Sequence, residues 1–421
     1  MASTDILTAL AELESSPQPQ HNKASGYNEL LQKIVNGPSA QLSANLIAFL
    51  DSILGETVGV VVSRQLLISL VLVLKDLPSA EVKIEVCQHA LQALQPRVVS
   101  FEEQDAAIRE IVADAYEQQE DYTSAAKALQ GIQLDSSQRM ISDTAKVKLW
   151  IRIVRLFLEE DDTTSAETYL NRAKTLLYKV EDQEIRLMFQ LSQARILDAG
   201  RKFLDACRIY HEFSFSLIIA EEEKMRALSA AIICAVLGPA GPQRSRILSQ
   251  LYRDERASQV EEFGILEKMF LDRLLSPAEV KQFADKLAPH QLAQTADGST
   301  VLTKAVIEHN LLGASRLYSN IGMEDLGGLL GLEGEKAGEY AAAMIEQGRL
   351  AGRIDQIDRL IYFDGGEGSG ERTSAGQADR IVGNELRKWD ANVRGLTEEV
   401  EKVTTLIQNH YPDFVAANLV H

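Results

Sequence analysis

From Tyr27 onward, apolar residues return every three or four positions: Leu30, Leu31 and Ile34, then Leu42, Leu46, Ile47 and Leu50. This period holds to about residue 275 and predicts long helices joined by short connections. Strand-type alternation is almost absent from that stretch. Ahead of it, residues 1 to about 20 form an amphipathic piece ending in Pro17 and Pro19. The most apolar run, 66–74, is far shorter than the ~20 residues of a membrane-spanning helix, so it reads as a buried helix.

Within the helical region a repeat is visible. The segments DYTSAAKAL (121–129), DTTSAETYL (162–170) and KFLDACRIY (202–210) align, with Ala125, Ala166 and Ala206 spaced 41 and then 40 residues apart. Tyr122, Thr163 and Phe203 precede them at one fixed offset, and Leu129, Leu170 and Tyr210 follow at another. Ahead of each segment lies another helical stretch, at 106–118, 145–159 and 184–198. Each unit is therefore a helix, a polar turn and a second helix, with a small residue where two helices approach. A period near 40 fits a right-handed solenoid of helical hairpins. An irregular all-helical bundle is the alternative.

The texture changes downstream. LGPAGPQRS (237–245) breaks the period and predicts a loop. At 274–287 a helix restarts, with Ser276 as N-cap, Pro277 in the first turn and Glu279 three residues after the cap. After Gln291 come a helix at 301–312, a short segment at 318–321, a helix from Met323 and a helix at 335–347. Residues 348–364 read as two short strands, one through Leu350, Gly352, Ile354 and Gln356 and one at 360–363. Three helices and a hairpin make a winged-helix pattern. Gly348 suits a left-handed helix cap, and the Asp residues of DQID can bond to their own backbone in a turn. A Gly- and Ser-rich stretch at 365–377 predicts a flexible linker. Beyond it Ile381, Leu386, Trp389, Val393, Leu396, Val400, Val403 and Ile407 form one apolar stripe, giving an amphipathic helix of about 30 residues whose stripe needs a partner: it packs back on its own chain or, as the preceding linker favours, into a bundle with other helices.

The expected division is a helical-repeat arm at 1–290, a winged helix at 291–364, the linker at 365–377 and a tail helix at 378–421. The fold class is mainly α.

Composition narrows the function. The chain has 421 residues and a formal net charge of −18, which argues against a broad nucleic-acid surface. The argument also holds locally. Residues 321–364 carry nine acids and four bases, and the helix that would enter a DNA groove holds Glu335, Glu339 and Glu346 against Lys336 and Arg349. Cys87, Cys207 and Cys234 include no CxxC pair and read as buried thiols in a reducing compartment. Residues 1–10 hold Asp5 and no Lys or Arg, unlike a secretory signal.

No catalytic or cofactor motif appears. None of the seven His belongs to H-x-H or H-E-x-x-H, and His309 in EHN (308–310) reads as a helix-surface or capping residue. The Gly-rich runs 322–334 and 365–377 lack the G-K-[ST] of a phosphate loop. Acid pairs such as Glu159–Asp162 and Glu221–Glu223 read as solvated. No catalytic, metal-binding or cofactor-binding residue is expected.

The repeat arm, the hairpin RLAGRIDQIDRLIYF (349–363) and the trailing helix together resemble the PCI domain family, scaffold subunits of the proteasome lid, the COP9 signalosome and translation initiation factor 3. LYSNIGMEDLGGLLGL (317–332), the strand ending IYFD (361–364) and the length resemble its signalosome branch. The lid and initiation-factor subunits are the rivals. This resemblance implies a non-catalytic subunit in cytoplasm and nucleus. Its implied partners are other PCI subunits, metalloprotease-type subunits and a cullin–RING ligase substrate, with no direct nucleic acid and no membrane. It implies that Ile354, Ile357, Leu360 and Ile361 serve hairpin packing and edge pairing, and that Trp389, Leu396, Val403 and Ile407 enter a helix bundle with other subunits.

Overall fold

The computed structural model describes residues 3–15, 20–37, 41–55, 58–135, 141–294, 299–364 and 374–412. The chain divides into two compact units. One comprises Met1–Gly238, Arg253–Gly264 and Phe283–Val301; the other comprises Pro239–Tyr252, Ile265–Gln282 and Leu302–His421.

The first unit opens with helices α1 to α5 at Thr4–Ser15, Gln20–Val35, Leu42–Ile53, Val60–Asp76 and Ala80–Leu94. Their apolar faces close one core around Tyr27, Phe49, Leu66, Leu70 and Leu94. The 66–74 run lies in α4, with Leu66, Leu67, Leu70 and Leu74 inside and Ile68 and Leu72 in solvent. Among the described residues no helix is long and apolar enough to cross a membrane.

The repeats are helix pairs: α6 (Glu102–Gln118) with α7 (Tyr122–Gln130), α8 (Asp143–Glu159) with α9 (Thr163–Leu176), and α10 (Gln183–Ala199) with α11 (Phe203–Ser214). Helix α12 (Glu221–Leu237) follows. Ala125, Ala166 and Ala206 are all fully buried where the helices meet. The turns repeat as well. Glu120, Asp161 and Arg201 each take a left-handed backbone, at φ 61°, 57° and 58°. In each case the next amide donates back over the turn: Asp121 to Tyr116, Asp162 to Phe157 and Lys202 to Leu197, at 3.0, 2.9 and 2.8 Å. Asp121 and Asp162 then cap the second helices, accepting from the Ser124 and Ser165 amides. Lys202 supplies no side-chain cap in the third repeat. These stacked hairpins form an α-solenoid.

The second unit contains α13 (Pro242–Tyr252), α16 (Val301–Leu317), α17 (Met323–Leu330), α18 (Gly334–Glu346) and the long α19 (Ser374–His410). Between α12 and α13 the break is shorter than the sequence suggests, because Pro242 occupies the first helical position. Helices α14 (Phe263–Phe270) and α15 (Pro277–Ala284) lie between α13 and α16 in the chain. At the start of α15, Glu279 accepts from the Ser276 amide and hydroxyl, half of the expected capping box.

Strands β1 (Asn320–Gly322), β2 (Gly352–Asp355) and β3 (Leu360–Phe363) form an antiparallel sheet in the order β1-β3-β2. β1 is the short segment that the hydrophobic pattern left without a type; three residues are too few to show a period of two. Helices α16, α17 and α18 with this sheet are a winged helix. Its core joins Leu311, Ile321, Leu326, Met344, Ile361 and Phe363. Gly348 closes α18 at φ 72°, as the sequence implies. Most of the expected linker, 365–373, lies outside the described residues, while 374–377 already belong to α19.

Candidate protein-interaction site

The hairpin and the tail helix hold the predicted interface residues, and the structure separates their surroundings. β3 pairs on both sides, through Ile321↔Ile361 and Ile354↔Ile361. Leu360 and Ile361 therefore sit in the central strand and cannot offer an open edge. The outer strands are β1 and β2. Ile361 is fully buried and Ile354 packs half-buried against the same core. Gly352 is required in β2, because a Cβ there would stand 2.5 Å from the Tyr362 carbonyl oxygen. Ile357 occupies the hairpin tip, 94% exposed. The tip is shaped by Asp355, whose carboxylate accepts from the Ile357 and Asp358 amides at 3.0 and 3.2 Å. On the outer face the Arg353 guanidinium lies 4.8 Å from the Tyr362 ring centre.

In α19 nothing covers the stripe among the described residues. Trp389, Leu396, Val403 and Ile407 are all exposed, from 38% at Ile407 to 66% at Trp389. Every side chain described from 392 to 412 is exposed too. The helix is held by its own backbone, so its apolar face is available to other helices.

A buried polar cluster supports the winged helix. Glu308 on α16 accepts from both terminal nitrogens of Arg349, one at 2.9 Å, and from the Ala240 amide at 3.1 Å. Arg349 also donates to the Ala240 carbonyl. This bidentate pair fixes the chain just after Gly348, where it turns from α18 into β2. Beside it Arg244 is buried, and burial pulls its guanidinium down to about 10. His309 is no surface residue, contrary to the sequence reading. It is buried, and its Nε2 donates to the Arg273 carbonyl at 2.8 Å. Burial first, and the Arg244 charge next, push it down to about 4. Asn310 exchanges bonds with both backbone groups of Leu275. The polar triplet EHN, set between the apolar runs AVI and LL of the same helix, was the available signal, but periodicity alone places polar residues outside.

Chemistry finds little purchase. Burial pushes the Cys87 and Cys207 thiols up to about 12 and raises Cys234 as well, which suppresses their thiolates. Among the described residues no group of three or more His, Cys, Asp and Glu is placed to hold a metal ion. Glu335, Glu339 and Glu346 are exposed on α18, and Arg359 is occupied by Glu324 and Glu335. An acidic third helix is a poor match for phosphate.

A helical-repeat solenoid, a winged helix with an acidic third helix and a tail helix with a bare apolar face define a PCI-type subunit built for contacts with other proteins. Comparison with known families agrees: the model described as "PSMD12/CSN4, N-terminal" matches residues 5–222, and the model described as "PCI domain" matches 279–364. The chain is 58% identical to COP9 signalosome complex subunit 4 of Emericella nidulans over 97% of its length and 98% of the relative's. It is 48% identical to the protein of the same name from Neurospora crassa, over 100% and 99%. With that from Dictyostelium discoideum the identity is 42%, over 97% and 98%. The chain belongs to the PCI-domain family and, within it, to the COP9 signalosome complex subunit 4 family.

Proposed function

We propose that this chain is a non-catalytic scaffold subunit of a COP9 signalosome, supporting removal of a ubiquitin-like modifier from cullin–RING ligases. It assembles the complex, contacts the substrate and relays substrate binding to the metalloprotease-type subunit that does the chemistry. Its division of labour follows the expected segments. The arm at 1–290 reaches toward the cullin–RING substrate, the winged helix at 291–364 joins other PCI subunits through its sheet edges, and the tail at 378–421 enters a bundle of their C-terminal helices. Such a subunit works in cytoplasm and nucleus.

The observation that carries this reading is the bare apolar face of α19, in a chain related along its whole length to signalosome subunits. A 37-residue helix with that stripe gains its stabilisation from partners, not from its own chain. The test is purification of the tagged protein from its own cells, with and without residues 378–421. Full-length protein should bring stoichiometric partner subunits and cullin-deneddylating activity, while the truncated chain should lose most partners. Recovery of the full-length chain alone would overturn the proposal. So would metal-dependent cleavage by the isolated chain.

A further inference from the structure

The connection from α11 to α12 carries an apolar tip, Phe215, Leu217, Ile218 and Ile219, interrupted only by Ser216. Leu217 is 94% exposed, and Phe215 and Ile218 are more than half exposed. Scattered exposed leucines are ordinary, but successive exposed apolar residues on one short connection are not.

The base of the tip is fixed by a compact polar network. Arg256 donates to both oxygens of Asp254, at 3.0 and 2.7 Å. The same guanidinium donates to the Ser214 carbonyl at 2.8 Å and to its hydroxyl at 3.1 Å. It also lies 4.2 Å from the Phe215 ring centre, while the His211 ring meets Phe215 edge-on at 4.9 Å. Ser214 is fully buried and Asp254 nearly so. The fold thus uses a partly buried ion pair to hold Phe215 in place and present Leu217 and Ile218 to solvent. An ordered apolar anchor loses little conformational freedom on binding, which favours association.

Charge identifies the occupant. Glu212, Glu221, Glu222 and Glu223 flank the tip and are exposed. Lys224 is the only base between 212 and 224, and it pairs with Glu221 at 3.0 Å. We infer that the 215–219 tip is a docking anchor for a different polypeptide, one offering an apolar pocket rimmed by Lys or Arg. A second copy would set acids against acids in a chain of net charge −18, and anionic lipid meets the same repulsion.

The test places photoreactive benzoylphenylalanine at 217 in the full-length chain expressed in its own cells, with the exposed Thr168 as the control position. Cross-linked peptides are then sequenced. Cross-linking at 217 well above the control should reach another polypeptide, at an apolar stretch bordered by Lys or Arg. Glu222→Lys with Glu223→Lys should cut that yield several-fold. Leu217→Ser should leave the melting temperature unchanged, since the side chain touches little. Cross-links only within the chain, to a second copy or to lipid, yields no higher than at 168, or insensitivity to charge reversal would each overturn the inference.

Discussion

In the winged helix, Ile321, Ile361 and Phe363 close onto Leu326 and Met344, whereas in α19 Trp389, Leu396, Val403 and Ile407 face water. Both regions are patterned with apolar residues at regular spacing. One pattern is consumed inside the chain and the other is left over. The difference lies in chain return: β1, β2 and β3 fold back on α17 and α18 within 45 or so residues, while among the described residues the stripe of α19 from Val393 to Ile407 stays exposed. Substitutions in the first region should therefore be felt as stability, and in the second as assembly.

The largest effect should come from the buried pair. Glu308→Ala takes the carboxylate from Arg349 and leaves its charge uncompensated beside Arg244, and removing one partner of such a pair costs about 3–5 kcal/mol. Urea unfolding monitored by circular dichroism should show this loss for the second unit. Replacing both partners, as Glu308→Gln with Arg349→Met, should recover much of it. A single variant as stable as wild type would mean that the winged helix does not depend on this clamp.

Next comes Ile361→Ala, at the fully buried centre of β3. The lost burial and residual cavity should cost about 2–5 kcal/mol. The same measurement applies, and a cost below about 1 kcal/mol would show that the sheet is not closed on its core. Loss of partners in this variant would be secondary to unfolding, which distinguishes it from substitutions in α19.

A pH titration addresses the same core. His309 is held near 4 when folded and returns to about 6.5 when unfolded. The folded value is the lower one, so as the pH falls the unfolded chain takes up the proton first. Stability tied to His309 is complete above 6.5 and is lost as the pH drops toward 4, by up to about 3 kcal/mol. His309→Gln keeps a donor for the Arg273 carbonyl and removes the titration. The difference in unfolding free energy between wild type and variant should change across that window and stay flat above it. A flat difference throughout would place His309 in solvent.

How far the sequence revealed this architecture follows from the same physics. Period and spacing located the helix pairs, because Ala125, Ala166 and Ala206 mark a packing contact that every repeat must make. They also located the hairpin and the α19 stripe, where pattern alone determines the element. They missed β1, whose three residues are recruited by β3 pairing and not by local preference. They missed the left-handed turns at Glu120, Asp161 and Arg201, since none is Gly and the conformation is imposed by the hairpin. They put His309 outside, because the Arg273 carbonyl that satisfies it and the Arg244 charge beside it come from other parts of the chain. In the candidate site, sequence could name Ile354, Ile357, Leu360 and Ile361, but only the strand order shows that β3 is central and β2 is an edge.

The smallest stability effect is expected where the stripe is bare. Leu396→Gln with Val403→Gln replaces two exposed residues by a good helix former, so the unfolding free energy of the isolated chain should move by no more than about 0.5 kcal/mol. Partner recovery should nevertheless fall sharply, because both residues lie on the one face that can bury apolar area against another helix. Glu398→Gln with Thr405→Gln, elsewhere on the same helix, should change neither quantity. A stability loss from the first pair as large as that of Ile361→Ala would mean that α19 packs on its own chain, and the contrast between the two regions would disappear. Unchanged stability with unchanged partner recovery would instead leave the winged-helix edges as the assembling surface. The two readouts together therefore separate a fold element from a docking element at single-residue resolution.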